Sequence, residues 1–357
     1  MFAVAATAQQ AREQAQRIAF GPSVFQSALV LRDSGILEKI ERCGATGLTL
    51  DEIATGLAWS AYAVRVLLDA AVGMGLVTLD DNRYRCTKTA WFLLHDPMTR
   101  VNMNFSQSVT YKGMQALAQS LHEGRPAGLA VFGNWPTLYA ALAHLPAQTL
   151  RDWLAFDHYY SDLAFAPALA LLARRAHRRV MDIGGNTGRF AQACVASHAA
   201  TRVTIVDLPG QIAMARSQFA DVAGSERIDW HAANVLDLAT PLPADHDAIW
   251  MSQFLDCFAE NEIVSILERC AAALAPSGTI YILEPFWNLQ KQAAAAFCLQ
   301  QTSLYFAALA NGNSRMYTSD VMTHLVRRAG LELQEIVHPV GIVHSLMICR
   351  KSTEPRS

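Results

Sequence analysis

Charge is scarce in this sequence. Asp, Glu, Lys and Arg make up 17% of 357 residues, and 29 basic against 31 acidic side chains leave a net charge of −2. A dedicated nucleic-acid binder carries a basic excess, so the balance argues against that class. No uninterrupted run of about 18 apolar residues, the length that spans a bilayer, is present. The richest stretch, Ala293 to Ala310, is broken by Gln300, Gln301, Thr302 and Ser303 and reads as a buried or interfacial helix. No membrane partner is expected. The N-terminus, MFAVAATAQQAREQAQ, lacks both a basic n-region and a full apolar core, which argues against a signal peptide. Cysteine is scattered: Cys43, Cys86, Cys194, Cys257, Cys270, Cys298 and Cys349 form no C-x-x-C pair and no zinc-spaced Cys/His cluster. No metal is expected, and unpaired cysteines in odd number fit a reducing cytoplasm.

What is abundant is hydrophobic residues, 52% of the chain. That excludes a disordered polymer and calls for a large core plus a subunit interface. The length predicts roughly two domains. Over residues 15–95 the pattern is helix, turn, helix, hairpin. Thr49-Leu-Asp-Glu52 has capping-box spacing and predicts a helix from Leu50. Val64, Leu67, Leu68, Ala71 and Val72 recur at helical spacing, and Gly73 and Gly75 close that helix. Leu76 to Leu79, the turn Asp80-Asp81-Asn82, and Tyr84 to Thr87 read as a hairpin. The whole is a winged-helix pattern. It does not read as a DNA binder. The second helix offers only Arg65 where base-reading side chains would sit, and Arg83 and Arg85 lie beside Asp80 and Asp81, whereas phosphate neutralisation needs several cations. The module is expected to pack against another surface.

Residues 101–175 read as mostly helical, with loops at Arg125-Pro126 and Asn134-Trp135-Pro136. Aromatics crowd the end of this segment at Trp153, Phe156, Tyr159 and Tyr160, and both cores and apolar pockets want such residues. From Arg178 short strands alternate with helices. Strands are expected at 180–183, 202–206, 228–231, 248–251 and 279–283, a helix over 260–274, and a closing hairpin from 332–337 and 344–349. The expected fold is α/β, a doubly wound Rossmann-like sheet. The expected division is a winged-helix-like domain over 1–100, a helical connecting segment over 101–175, and the α/β domain over 176–357.

The first strand runs into Asp182-Ile183-Gly184-Gly185-Asn186-Thr187-Gly188, and the second ends in Asp207. Open α/β sheets bind ligands at the carboxyl ends of their strands. Glycines there allow a tight turn and let a ligand lie on the backbone. An acidic residue about 20 positions further on suits a ribose diol. The dinucleotide fingerprint is not met, because its first glycine would fall on Ile183, and no phosphate-loop lysine follows, since Arg189 stands in its place. A structural glycine turn in some other α/β protein is the alternative.

This loop resembles the D-x-G-x-G-x-G loop of S-adenosylmethionine-dependent methyltransferases, with Asn186 in place of the middle glycine, a residue that tolerates the left-handed backbone. Val206-Asp207-Leu208-Pro209 is similar to the second strand tip of the small-molecule O-methyltransferases that act on phenylpropanoids, flavonoids and bacterial natural products. Asn234 and Val235 stand where that family places the Asp and Met that flank the adenine, and Ser252 follows the fourth strand. The resemblance covers roughly residues 15–350. It implies S-adenosylmethionine as cofactor, held by Asp182, Gly184, Gly185, Asn186, Gly188, Asp207, Leu208, Asn234, Val235 and Ser252. It also implies a homodimer through the N-terminal domain.

The match breaks at the catalytic position. The family's general-base His is Asp256 here, within Phe254-Leu255-Asp256-Cys257-Phe258. One supporting acid is kept as Glu284; the second position holds Met316. An exposed Asp is a weak base at its ordinary pKa of about 3.9, whereas burial or the nearby charge of Glu284 would raise it. Three readings stand: Asp256 as base, catalysis by proximity alone, or Asp256 as a cap of the helix near Glu260. His158, His338 and His344 are candidate substitute bases. Phe156, Tyr159, Tyr160, Phe297, Gln301 and Tyr305 are the expected acceptor-lining residues, with Phe297, Cys298, Gln301 and Tyr305 at helical spacing. The expected activity is methyl transfer to a hydroxyl of a small aromatic or polyketide-like acceptor. The alternatives are C-methylation of an electron-rich ring, or a non-catalytic ligand-binding or regulatory protein that kept the fold.

Overall fold

The computed structural model describes residues 7–219 and 222–352. Its contacts divide the chain into Met1–Asn104 and Phe105–Ser357. The first boundary lies close to the expected one. The helical segment expected as a separate stretch over 101–175 is instead part of the second unit, because its apolar side chains share cores with the α/β residues.

The first unit opens with α1 (Ala8–Ala19), α2 (Gly21–Asp33), α3 (Ile36–Arg42), α4 (Leu50–Ala54) and α5 (Ala61–Gly73). The capping box forms as the spacing predicted: the Thr49 hydroxyl accepts from the Glu52 amide and Glu52 accepts from the Thr49 amide at 2.7 Å. Helix α5 buries Val64, Leu68 and Ala71 against Ile36, Leu37, Ile40 and Ile53, while Val72 is left exposed. Each fully buried Val, Leu or Ile side chain among them contributes about 1.5–3 kcal/mol. Gly75, at φ +70, ends the helix where an L side chain would be strained. β1 (Val77–Asp80) and β2 (Arg83–Cys86) pair antiparallel, and Asp81 and Asn82 both take left-handed φ in the two-residue turn. α6 (Lys88–His95) and α7 (Pro97–Phe105) follow.

The second unit begins with the short helices α8 (Leu117–Glu123) and α9 (Leu138–Ala141), then the long α10 (Ala147–Leu172). Seven strands then form one sheet. They are β3 (Arg179–Ile183), β4 (Arg202–Asp207), β5 (Ile228–Ala232), β6 (His246–Ser252), β7 (Leu274–Glu284), β8 (Leu331–Val340) and β9 (His344–Lys351), in the order β5-β4-β3-β6-β7-β9-β8. The first five in that order are parallel; β9 and β8 are antiparallel. The intervening helices are α11 (Arg189–Ser197), α12 (Pro209–Gln218), α13 (Glu260–Ala273), α14 (Ala293–Tyr305) and α15 (Ser319–Arg328).

Central strands are apolar on both faces because helices cover both. Met181, Ile183, Ile249, Met251, Ile280 and Ile282 face α13 and α15. Val180, Ala248, Trp250, Tyr281 and Leu283 face α10 and α11, where Phe190 stacks on Trp250 at 4.1 Å. Between β3 and β6 the strand order reverses, which opens a crevice at their carboxyl ends. The stretch Ala293–Ala310 forms a continuous helix whose length and mean hydropathy of 1.2 suffice to cross a membrane. Its last six residues, Tyr305 to Ala310, are buried in the unit's own core.

Candidate functional site

At the tip of β3 the glycines are required by neighbours as well as by backbone. Gly184 has φ +73, and a Cβ there would run into the Phe254 ring. A Cβ on Gly185 would sit 2.9 Å from Asp182 Oδ2, and one on Gly188, at φ +77, 2.8 Å from Phe219. Asn186 takes φ 48, the left-handed backbone its replacement of glycine demanded. Its amide donates to Asp207 Oδ2 at 2.8 Å, while Asp207 Oδ1 accepts from the Leu208 amide at 2.7 Å. The two strand tips are thereby fastened together. Burial pushes Asp207 up to about 6, opposed by these two amides. Burial, then the charge of Asp207, pushes Asp182 up to about 8.

The cradle fits S-adenosylmethionine. Buried polar atoms without partners cluster at the strand ends: Asp182 Oδ2, Asn186 Oδ1, Ser252 Oγ and Glu284 Oε2. Each is an acceptor or hydroxyl able to meet a cationic, hydroxyl-bearing ligand. Asn234 lies exposed beyond β5, its Oδ1 accepting from the Leu236 amide at 3.0 Å, and Val235 is buried beside it in the core.

The loop after β6 carries the second half of the site. Gln253 is left-handed at φ 48, and Leu255–Cys257 form a single 3₁₀ turn. Glu284, at the end of β7, anchors that turn: its Oε1 accepts from the Phe254 amide at 3.0 Å and the Leu255 amide at 2.8 Å. Asp256 is 4% exposed and accepts from the Cys257 thiol at 3.3 Å, and the thiol in turn accepts from the Tyr139 hydroxyl at 3.0 Å. Burial, then the like charge of Asp157, pushes Asp256 up to about 7, with the thiol opposing. Glu284 is held well above its ordinary value by burial and by Asp256. Asp256 does not cap the following helix; the Ala259 amide at its start is capped by Glu262 at 2.8 Å. Asp256 and Glu284 meet Met316, Tyr317 and Met322 across a gap too narrow to hold a water molecule.

Aromatic side chains gather beside this turn. Phe156 stacks on Phe105 at 4.1 Å and meets Tyr160 edge-on at 5.3 Å, and Tyr159 meets Tyr160 likewise at 5.2 Å. Tyr305 packs against Phe105, and its hydroxyl accepts from Trp153 Nε1 at 2.9 Å. Phe297 and Gln301 do not join them; both are exposed, Phe297 by 59%. At about 100° per residue, Phe297, Gln301 and Tyr305 fall within about 80° of one another round the helix, but of that stripe only Tyr305 is buried. The buried side of α14 is carried by Ala296 and Leu299.

The histidines are engaged structurally. His158 Nε2 lies 3.1 Å from the Thr187 hydroxyl, and burial pushes the ring down to about 4. His338 Nδ1 is 2.9 Å from the Ser345 hydroxyl. His344 is fully buried, pushed down to about 3, and reaches the site only through Gln253, its Nε2 lying 2.7 Å from Gln253 Oε1. Sequence reading missed Asp157 and Gln253. Asp157 accepts from Gln253 Nε2 at 3.1 Å and from Asn186 Nδ2 at 3.3 Å, and burial pushes it up to about 7. Its position directly after Phe156, in the aromatic helix, was the available signal.

Residues 116–332 match the O-methyltransferase domain family and residues 12–84 a Dimerisation2-like domain. Among curated proteins, the chain is 25% identical over 342 residues to an L-tyrosine C(3)-methyltransferase of Streptomyces lavendulae, covering 94% of this chain and 91% of that protein. It is 27% identical over 290 residues to a 3-hydroxy-5-methyl-1-naphthoate 3-O-methyltransferase of Streptomyces sahachiroi, covering 78% of each. Among solved structures, the S-adenosylmethionine-dependent methyltransferase SibL superposes with a TM-score of 0.71 at 24% identity, covering 94% of this chain and 98% of that one. The family match spans more than half of the sequence: the chain belongs to the O-methyltransferase domain family and is a methyltransferase with S-adenosylmethionine as its donor.

Proposed function

We propose that the chain moves the methyl group of S-adenosylmethionine to a hydroxyl of a small phenolic acceptor, with Asp256 taking the hydroxyl proton. The observation that carries this reading is the pairing of Asp256 with Glu284 in a buried turn. Glu284 fixes the turn through two amides, and burial raises both carboxyls, with Asp256 adding to the rise at Glu284. A base titrating at about 7 is matched to neutral operation. The bound donor supplies an electrophilic methyl; the chain's residues orient the phenol and remove its proton. Tyr305, Phe156, Phe105 and Tyr139 offer flat apolar walls and two hydroxyls near Asp256, which suits an aromatic ring bearing a polar edge.

A second reading, transfer to the ring carbon beside the hydroxyl, is favoured by the C(3)-methyltransferase relative. The same phenolate formed by Asp256 would direct it. Incubation with S-adenosylmethionine and a panel of phenols and hydroxynaphthoic acids, with product structure read by mass and NMR, tests both. Turnover with the methyl on carbon overturns the first reading in favour of the second. Tight binding of donor without turnover on any phenol overturns both in favour of a ligand-binding protein.

The first unit is read as a homodimerisation module. Helix α1 buries none of its residues, and Ile18, Phe20, Trp91 and Phe92 are each at least half exposed, a large apolar surface for one chain to leave in water. A nucleic-acid role is not supported: Arg83 donates to the Gly47 carbonyl and pairs with Glu52, and Arg85 donates to the Ala45 and Asp80 carbonyls. A monomer at micromolar concentration in sedimentation would overturn the dimer. The free thiols of the described residues accord with a reducing, cytoplasmic setting.

A further inference from the structure

One carboxylate belongs to neither the glycine loop nor the catalytic turn and touches both. Asp157, on α10, accepts through Oδ2 from Asn186 in the loop after β3 and through Oδ1 from Gln253 in the loop after β6. Its residue keeps partial exposure, so the carboxylate borders the space between the two loops. The groups behind it fix its orientation. A carboxylate at Asp157 takes Gln253 by its Nε2 donors, which turns Gln253 Oε1 toward His344 and makes His344 Nε2 the donor across 2.7 Å. The remaining His344 nitrogen, Nδ1, is buried without a partner, as that tautomer leaves a bare acceptor there. The order of donation is therefore His344 to Gln253 to Asp157.

The titratable groups around Asp157 are mostly carboxyls. Asp162 and Arg189 act on Asp157, but Arg189 is ion-paired to Asp162. Asp256 also feels the charge of Asp157, and Asp182 and Asp207 stand at the adjoining strand tips. A ligand seated among these carboxylates is favoured if it brings positive charge. S-adenosylmethionine brings two in its methionine half, the sulfonium and the ammonium.

We propose that Asp157, oriented by Gln253 and His344, is the counter-ion for the positive charge of the methionine half of S-adenosylmethionine. The proposal rests on the donor assignment above and goes beyond the glycine loop and Asp207. A bound cation keeps Asp157 ionised, where burial alone leaves it half-protonated near neutrality.

Calorimetric titration of Asp157→Asn at pH 8 with S-adenosylmethionine, S-adenosylhomocysteine and 5′-methylthioadenosine tests this. The last shares the adenosine and the sulfur but carries no positive charge. S-adenosylmethionine is expected to bind about 10–100-fold more weakly, the range of a lost charge-assisted contact, with 5′-methylthioadenosine unchanged within twofold. S-adenosylhomocysteine weakened alongside would identify the ammonium as partner; S-adenosylhomocysteine unchanged would identify the sulfonium. Unchanged affinity for S-adenosylmethionine, or equal loss for all three ligands, would overturn the proposal. Should Asp157→Asn melt before titration, Gln253→Ala must show the same charge-selective loss on a smaller scale, about threefold, and equal losses there overturn it as well. An unaltered chain that binds none of the three would instead overturn the donor assignment.

Discussion

The β3–β4 half and the β6–β7 half of the site lie at the same edge of one sheet and are built on different principles. The first half works through backbone. Glycines make room, amides of Asn186 and Leu208 hold Asp207, and one glycine is exchanged for Asn with the left-handed conformation intact. The second half works through single side-chain atoms. Glu284 holds a turn with one oxygen, Asp256 presents a carboxylate, and the two share one buried environment. A backbone site tolerates substitutions that preserve its φ and its free volume. A side-chain site changes its chemistry with one residue. The cofactor half is thus defined by shape, and the acceptor half by proton affinity.

The largest effect is expected from breaking the shape. In Gly184→Ala the new Cβ collides with the Phe254 ring at a backbone φ of +73, so both halves must move. Affinity for S-adenosylmethionine should fall by about 100-fold or more in calorimetric titration, with a lowered melting temperature. Retained affinity would mean that the loop reforms elsewhere and shape does not define this half. Next comes the chemistry. Asp256→Asn should lower turnover by about 100-fold while donor affinity stays within about twofold. The base acts ionised, so with a carboxyl at about 7 the unaltered chain should gain turnover as pH rises from 6 to 8. The Asn variant should show no such limb. An unchanged rate would leave proximity as the source of catalysis.

Much of the first half was legible in the sequence because its signals are local. The strand, the glycines and Asp207 sit within one β-α-β stretch, and the strand tips fall where the apolar runs end. The winged-helix pattern was legible for the same reason: capping box, helix-closing glycine and two-residue turn are each short-range. The second half depends on residues far apart in the chain. Glu284 lies 28 positions beyond Asp256, and Tyr139, Asp157 and His344 come from three other elements. No periodicity encodes those meetings, so Asp157 and Gln253 went unread. Phe297 and Gln301 lie outside the buried aromatic cluster for a related reason: spacing on a helix predicts a shared stripe but not how much of it faces the core.

A finer test of the acceptor half is Glu284→Gln. Glutamine keeps an oxygen for the Phe254 and Leu255 amides and removes a carboxyl that burial and Asp256 hold well above its ordinary value. Glu284 is therefore the second of the pair to ionise and is neutral while Asp256 titrates. Exchanging one neutral group for another leaves Asp256 raised by burial and by Asp157, so the rising limb should stay near 7 and the pH 8 rate within about fivefold. A limb moved to lower pH would show that charge on Glu284, rather than burial, sets the Asp256 pKa.

The smallest effect, and the sharpest probe of the contrast, is expected for Asn186→Gly. Two consequences oppose each other. Glycine relieves the left-handed backbone at φ 48, a strain of about 1 kcal/mol for a non-glycine residue. It also removes the Asn186 Nδ2 contact to Asp157 at 3.3 Å, a long bond that contributes about 0.5–1 kcal/mol. The amide that holds Asp207 is retained, because it belongs to the backbone. Donor affinity should therefore stay within about threefold of the unaltered chain. A tenfold loss would mean that the Asn186 side chain, through Asp157, holds the cofactor tip as the acceptor tip is held. The two halves would then differ only in which residues they use.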